Sequence, residues 1–458
     1  MSAIERRCPR PLVQRRLRLA RHRGTTAQVA SAYPFQAAAG LGEHGVYLGL
    51  NVLAGGAGFA FCPFSAYADG LVTNPNMLVA GEPGTGKSAA VKAFLHRSVG
   101  VFGRWAAIAD PKGEYRALAE TLGLEVVRLR PGGPDRLNPL DATATAGDPD
   151  QSDRQQAEMA AALVATVLRR DLSPAEDATL GWAVGHLAAV AGRGPAQHPT
   201  LADLVAVLAD PPAELADRAR TPPGDLARRV EAVTWGIGKL LDRQLRGMFD
   251  GPTTVRLDGD GRGVVLDLSA VHHDPDALAL VMVAATAWLQ SVLATPEGPP
   301  RLQILDEAWS LLASERTSRY LQSCWKLGRA YGVANVAIVH RLSDLRSQAD
   351  DGTATAKVAM GLLADTQTRV LFRQSSDQID DARALLGLTG PETRLLPLLA
   401  RGRALWKVGS GHTAVVAHQL APAEQQLVDT DARMAANPGG FIAADGVGRG
   451  NPRVEDVA

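Results

Sequence analysis

Gly81-Glu82-Pro83-Gly84-Thr85-Gly86-Lys87-Ser88 is the stretch around which the rest of this chain is organised. The apolar run Met77-Leu78-Val79-Ala80 precedes it, and the helix-prone Ala89-Ala90-Val91-Lys92-Ala93-Phe94-Leu95 follows. The order is therefore strand, glycine-rich loop, helix. Glycines let successive backbone N–H groups turn inward around a phosphate chain, and the helix behind them points its positive end at the same anion. In that arrangement Lys87 reaches the outer phosphates of a nucleotide such as ATP, and the Ser88 hydroxyl ligates Mg2+. A chance glycine-rich turn would not carry the full spacing together with the leading strand and the trailing helix.

With 458 residues the chain has material for two or three domains and a large core. Lys plus Arg and Asp plus Glu both number 48, which excludes a global basic field for gripping nucleic acid; any DNA contact would be local. Cys8, Cys62 and Cys324 form no metal-ligand spacing, so they predict reduced, packed thiols and no structural metal. The first 23 residues are rich in arginine, but no apolar stretch suited to a signal peptide follows. Residues 1–30 read as a disordered basic tail, with an anionic membrane surface or nucleic acid as the other reading. The one stretch apolar enough to suggest a membrane span, Ala277 to Ala294, contains Thr286, Gln290 and Ser291 and begins after Asp274-Pro275-Asp276. That start signal and those polar residues predict a buried helix of a soluble protein.

From Ser31 to Gly70, aromatic and β-branched residues punctuated by glycines predict short strands leading into the loop. After the loop helix, Trp105 to Ala109 is a strand ending in Asp110-Pro111-Lys112-Gly113-Glu114-Tyr115. A polar cluster at the carboxyl end of such a strand is where an open α/β sheet places ligand residues. Asp110 and Glu114 fit turn and helix-cap chemistry equally well. A helix over Glu114–Leu122 and a strand over Glu125–Leu129 complete a parallel, doubly wound α/β pattern. From about Pro149 to Met248 helical spacing replaces strands, with capping signals at Ser173–Glu176 and Thr200–Asp203. This predicts an all-α insertion looped out of a core that spans 31–148 and 249–428.

The sheet is expected to resume with Thr253–Leu257 and Gly263–Leu268. Arg301-Leu302-Gln303-Ile304-Leu305 then ends in Asp306-Glu307. With a phosphate loop in the same chain, Asp306 is placed to hold the metal through water and Glu307 to polarise an attacking water. After a helix through Tyr320–Ala330, the strand Val333–Val339 ends at His340, a position suited to sensing the γ-phosphate. Thr368–Arg373 is a further strand, and Gly402–Val408 with His412–Val416 predicts a closing hairpin. Beyond Asp429 the periodicity fades into a segment read as disordered.

In this order the pieces resemble the ATPase half of conjugative-transfer and type IV secretion motors, of the VirB and TraC type with a TraG-like phosphate-loop domain, in the HerA/FtsK superfamily. The resemblance spans roughly Tyr33 to Gln419. It rests on Val46-Tyr47-Leu48-Gly49, Pro63-Phe64, the loop itself, Asp110 to Tyr115, Leu137-Asn138-Pro139-Leu140, Ile304 to Leu312 and Lys326 to Gly332. It implies a RecA-like P-loop NTPase core and a homo-hexameric ring binding ATP and Mg2+ at its subunit interfaces. It also implies a cytoplasmic position at the membrane face, with conjugation or secretion components as partners and DNA as a further candidate. Arg329 stands where such proteins place an arginine that reaches a neighbouring subunit's γ-phosphate, and Arg373 is the second candidate; a surface or intrachain ion pair is the other reading of each. Two features depart from the pattern. His340 stands where a glutamine is usual, and only about eighty residues precede the loop, where full-sized motors carry a large docking domain, so docking would be lost, minimal or delegated to another chain.

The leading expectation is an ATP hydrolase powering conjugative transfer or type IV-like secretion. A DNA translocase of the same superfamily is the enzymatic rival, separable by DNA-stimulated turnover that weakens with salt. A nucleotide-binding structural subunit with little turnover is the third reading, and Glu307 argues against it.

Overall fold

The computed structural model describes residues 41, 45–141, 149–191, 199–255, 261–293, 298–308, 318–319, 322, 325–326, 328–340, 361 and 365–428. The expected terminal tails over 1–30 and 429–458, and much of the helix expected through Tyr320–Ala330, lie outside the described residues, as do Cys8 and Cys324.

Two strands, β1 (Val46–Asn51) and β2 (Ala57–Phe61), open the fold, followed by the short helix α1 (Pro63–Ala68). Pro63 and Phe64 thus begin a helix and do not extend the strand, since proline suits a first helical turn, where its missing N–H costs nothing. Then come β3 (Met77–Ala80), α2 (Lys87–Gly100), β4 (Trp105–Asp110), α3 (Arg116–Leu122) and β5 (Glu125–Arg128). The expected helical stretch follows as α4 (Pro149–Leu168), α5 (Pro174–Ala191), α6 (Leu201–Ala209), α7 (Ala213–Ala219), α8 (Pro223–Arg229) and α9 (Glu231–Lys239). The core resumes with β6 (Gly263–Asp267), α10 (Pro275–Leu293), β7 (Arg301–Leu305), β8 (Val333–Val339) and β9 (Thr368–Leu371). It closes with α11 (Ile379–Leu386), α12 (Gly390–Leu395), the hairpin β10 (Arg403–Val408) and β11 (His412–His418), and α13 (Pro422–Val428).

Among the described residues, eleven strands form one sheet in the order β2-β1-β11-β10-β9-β3-β8-β7-β4-β6-β5. From β9 to β5 every pairing is parallel, and from β9 outward to β2 every pairing is antiparallel. Alternation along the strands assigns the two faces. Val79, Ala106, Ile108 and Ile304 pack with Val91, Phe94 and Leu95 of α2 and Leu118 of α3. Leu78, Ala80, Ala107 and Leu266 face the other way, toward α10 and the helices from α4 to α9. Both faces being covered, the central strands read as continuous apolar runs. Each fully buried Leu or Ile, such as Leu95 or Ile108 at 0% exposure, contributes about 1.5–3 kcal/mol of transfer free energy.

The helical stretch starts and stops where its caps dictate. Thr200 and Asp203 form a reciprocal capping box at α6, and Ser173 and Glu176 exchange the equivalent bonds at α5. This stretch shares one continuous apolar core with α10. Among the described residues, no helix is long and apolar enough to cross a membrane; α10 is instead a core helix under the sheet. One expected strand is absent. Thr253–Val255 are irregular, because their polar groups pair with the loop before α4: Asn138 N donates to Thr253 Oγ1, and Thr254 N donates to Arg136 O. Residues 256 and 257 of that expectation lie outside the described residues.

Candidate active site

Five parallel strands deliver their carboxyl ends to one edge of the sheet. The loop 81–88 follows β3, the turn 110–115 follows β4, Asp306 and Glu307 follow β7, His340 follows β8, and Phe372–Arg373 follow β9. The phosphate loop takes its shape from its glycines. Gly84 has φ +73° and Gly86 φ +105°, and a Cβ at Gly86 would stand 3.1 Å from the backbone N of Gly402. Around it, Thr85 Oγ1 donates to Glu82 O at 2.7 Å, Glu82 N to Arg373 O at 3.1 Å, and Gly402 N to Thr85 O at 2.9 Å. Lys87 opens α2 and is buried, with Nζ donating to Gly81 O at 2.5 Å and Glu82 O at 2.8 Å. Burial lowers its pKa to about 8, against the attraction of Asp306 and Glu307. Lys87 therefore feels both carboxylates across the cleft.

Asp306 and Glu307 are both buried. Asp306 Oδ1 accepts the N–H of Glu307 at 3.0 Å. Burial, with the charge of Glu307 adding to it, pushes the Asp306 carboxyl up to about 6. Glu307 lies in the left-handed region at φ +55°, a conformation that costs a residue with a Cβ about 1–2 kcal/mol. Burial would raise its pKa too, but hydrogen bonds from His340 and Lys112 outweigh that and hold it at about 2. Lys112 Nζ is 2.5 Å from Glu307 Oε1, and His340 Nε2 is 2.7 Å from the same oxygen.

The donor set suits a phosphate-bound Mg2+. Asp306 is a buried carboxylate whose pKa burial raises against the opposing charges of Lys112 and His340, and Ser88 lines the cleft beside Lys87. A Mg2+ bound with phosphates takes few protein oxygens and keeps several waters. Among the described residues, no group of three or more His, Cys, Asp or Glu could hold a metal by itself.

The cleft has a volume of about 530 Å³ and is lined by Lys87, Ser88, Lys112, Glu114 and His340 and by Arg401, Gly402 and His418. Of the residues expected at the site, Lys87, Ser88 and His340 line this cleft, and Glu307, with Asp306 next to it, contacts the lining residues Lys112 and His340. Arg329 is elsewhere: it sits exposed on a 3-10 turn at the amino end of β8, at the opposite edge of the sheet, with Nη1 3.5 Å from Thr73 O. Arg373 pairs within the chain with Glu82, at 3.6 Å. Asp110 proves to be turn architecture, accepting the N–H groups of Lys112, Glu114 and Tyr115. Sequence reading assigned no role to Lys112 or to the 401–402 turn. For Lys112 the signal was a lysine within a polar turn at the end of a strand; for the 401–402 turn it was a glycine between two arginines just before a hairpin.

A phosphate loop at a helix N-terminus, faced by an acidic strand end on a largely parallel sheet, defines a RecA-like P-loop NTPase fold. Among solved structures, VirB4 of Thermoanaerobacter pseudethanolicus superposes with a TM-score of 0.68 at 20% identity, covering 84% of this chain and 99% of that one. The plasmid coupling protein TrwB in complex with ADP and Mg2+ gives 0.52 at 17% identity, covering 77% and 87%. TrwB with a non-hydrolysable ATP analogue gives 0.52 at 17%, covering 76% and 86%. No protein-family model matches the sequence, and no curated protein matches it. The chain thus has the fold of the VirB4 and TrwB proteins.

Proposed function

We propose that this protein is an ATP hydrolase that works as a ring motor, powering conjugative transfer or type IV-like secretion. The observation that carries the reading is the placing of Glu307. An ionised carboxylate, held in a strained backbone conformation beside a buried aspartate, stands at the end of β7, one strand removed from the phosphate-loop strand, and its charge is felt by Lys87. A carboxylate at this position can orient an attacking water once its hydrogen bonds to Lys112 and His340 are released, and backbone strain is a recurrent feature of functional sites. The glycine-rich loop and the N-terminus of α2 would hold the phosphates, Lys87 would leave its two loop carbonyls for the outer phosphates, and Ser88 and Asp306 would hold Mg2+. That ion supplies charge neutralisation for the transferred phosphoryl group. The likeness in fold to TrwB, known in complex with ADP and Mg2+, with an ATP analogue and with a GTP analogue, supports a nucleoside triphosphate, here taken as ATP.

The ring is part of the same proposal. Arg329 lies exposed at the far edge of the sheet from its own cleft, with Nη1 near Thr73 O, so a catalytic role for it would have to be played at a neighbour's site in a homo-hexamer; a surface contact is its other reading. The docking partners are membrane components of a conjugation or secretion apparatus at its cytoplasmic face, with DNA as the cargo or stimulus to be tested.

The test is ATP turnover of wild type, Lys87→Ala and Glu307→Gln, with and without DNA. Loss of turnover in both variants, with Glu307→Gln still binding ATP, is expected. Unchanged turnover in either overturns the assignment, and strong stimulation by DNA that falls with salt would move it to a DNA translocase. Mixing Arg329→Ala with Glu307→Gln subunits should restore turnover beyond either alone; no recovery removes Arg329 from the site.

A further inference from the structure

The turn after β4 carries a second lysine into the cleft, and the hydrolysis scheme above gives it no task. Its presentation is built into the fold. Asp110, 1% exposed, accepts the N–H groups of Lys112 at 3.2 Å, Glu114 at 3.1 Å and Tyr115 at 2.9 Å. Tyr115 is fully buried beneath the turn. Gly113 has φ +69°, and a Cβ there would meet Ser269 at 3.3 Å. The backbone is therefore fixed without any help from the lysine side chain, which is left to reach across the cleft.

There it closes a triangle of groups from three strand ends. Lys112 Nζ lies 2.5 Å from Glu307 Oε1 and 2.8 Å from His340 Nε2, and His340 Nε2 lies 2.7 Å from Glu307 Oε1. An ammonium has only donors, so Lys112 donates to Glu307. His340 Nε2 can bond only one of the two, accepting from Lys112 when bare or donating to the same Glu307 oxygen when it carries a proton, and in the second arrangement it makes no hydrogen bond to the ammonium. Glu307 Oε1 then carries two charge-assisted hydrogen bonds, and a carboxylate so engaged is a poor partner for a water. Lys112 also lines the cleft with Lys87 and Ser88, and its charge is felt by Lys87.

We propose that Lys112 is a positioning residue, shared between Glu307 and the terminal phosphate of a bound nucleoside triphosphate. A triphosphate draws the ammonium away and frees Glu307 for the water, whereas a diphosphate leaves the pair intact. Two properties suit Lys112 to this exchange. Its side chain is one-quarter exposed, at 26%, so it is not committed by burial, and a lysine is a compact charge on a flexible stem. A terminal phosphate carries more negative charge than one carboxylate, which gives the exchange its direction. A ligand shifts such an equilibrium only by its differential affinity for the two arrangements, so the difference between triphosphate and diphosphate binding reads it directly.

This inference rests on the nucleotide-binding reading of the cleft, and binding separates it from hydrolysis. Fluorescent ADP and a fluorescent non-hydrolysable ATP analogue, each with Mg2+, would be titrated into the full chain as wild type, Lys112→Met, Lys112→Gln and Lys112→Arg, with melting temperatures taken alongside. The expected result is a triphosphate affinity roughly 10- to 100-fold weaker in the Met and Gln variants, the size of one charge-assisted hydrogen bond. ADP affinity should stay within about twofold, and Lys112→Arg should recover most of the loss. Equal loss for both nucleotides, which a merely structural lysine would give, overturns the proposal, and so does no loss for either. Should Lys112→Met fail to fold, the Gln and Arg variants carry the same comparison. Wild-type turnover with an unchanged triphosphate preference sinks the role of Lys112 and leaves the hydrolase; a Lys112-dependent preference without turnover does the reverse.

Discussion

Glu307 and Glu176 are two glutamates held at the same pKa, about 2, in opposite kinds of place. Glu176 sits in the first turn of α5, where Arg170 binds it through both carboxylate oxygens at 2.9 and 2.7 Å and Ser173 N donates at 2.8 Å. It is an acid at a helix N-terminus in ordinary helical backbone, where charge, cap and helix dipole all agree. Glu307 has its charge satisfied too, but in left-handed backbone and next to Asp306, which burial drives toward its neutral form. A low pKa alone therefore does not mark a working carboxylate. Left-handed backbone alone does not either, since Arg169 and Arg220 adopt it at helix ends; what sets Glu307 apart is that conformation together with a buried acid and two cations at the strand ends.

Substitutions at the two sites can break this contrast. The largest effect is on turnover: Glu307→Gln should lower the ATP hydrolysis rate by about 10²- to 10⁴-fold, the contribution of a positioned base, while Glu176→Gln leaves it unchanged. Comparable losses at both positions would erase the distinction. Next in size is the buried aspartate. A carboxyl whose native pKa is raised from 3.8 to about 6 makes the folded state less stable as pH rises through that interval. Asp306→Asn should therefore stabilise the protein at pH 7 in chelator by roughly 2–3 kcal/mol, measured by urea denaturation. A destabilisation there would mean that the aspartate is held by compensating charge.

A smaller and cleaner contrast lies in the backbone. At Glu307, Gly should be more stable than Ala by about 1 kcal/mol, since only Gly is at ease at φ +55°. At Glu176 the order should reverse by about the same amount, because Gly weakens a helix. Equal ranking at the two positions would remove the argument from strain. The smallest effect concerns pH. The folded pKa of Glu176 is depressed, so its contribution is complete above about pH 4.5 and is lost as pH falls toward 2. Glu176→Gln should cost about 0.5–1 kcal/mol at pH 7 and only a small part of that near pH 2, with thermal melts at the two pH values as the check.

Much of the cleft was legible because its parts are local. Gly81 to Ser88 combines loop, strand and helix in one run, and Asp306-Glu307 ends an apolar strand. Other features required the assembled sheet. Asp110 could be read as turn or site from its neighbours alone, and three backbone hydrogen bonds decide for the turn. Thr253–Val255 looked like a strand by residue type, but side-chain and backbone bonds to 136–138 claim it. Lys112 was visible inside its motif and silent about its role, since its partners lie 195 and 228 residues further along (307 − 112 and 340 − 112).

By itself the sequence determined the elements and the chemistry each can carry: glycines where the loop must turn, caps where helices begin, and carboxylates where strands end. These are short-range properties, set by backbone sterics and by hydrogen bonds that span a few residues. Only the tertiary structure decided which charges meet. The parallel order β3-β8-β7-β4 sets Lys87, His340, Glu307 and Lys112 at the same edge. It leaves Arg329 at the other, because a parallel sheet gathers all its carboxyl ends on one side whatever the distance along the chain.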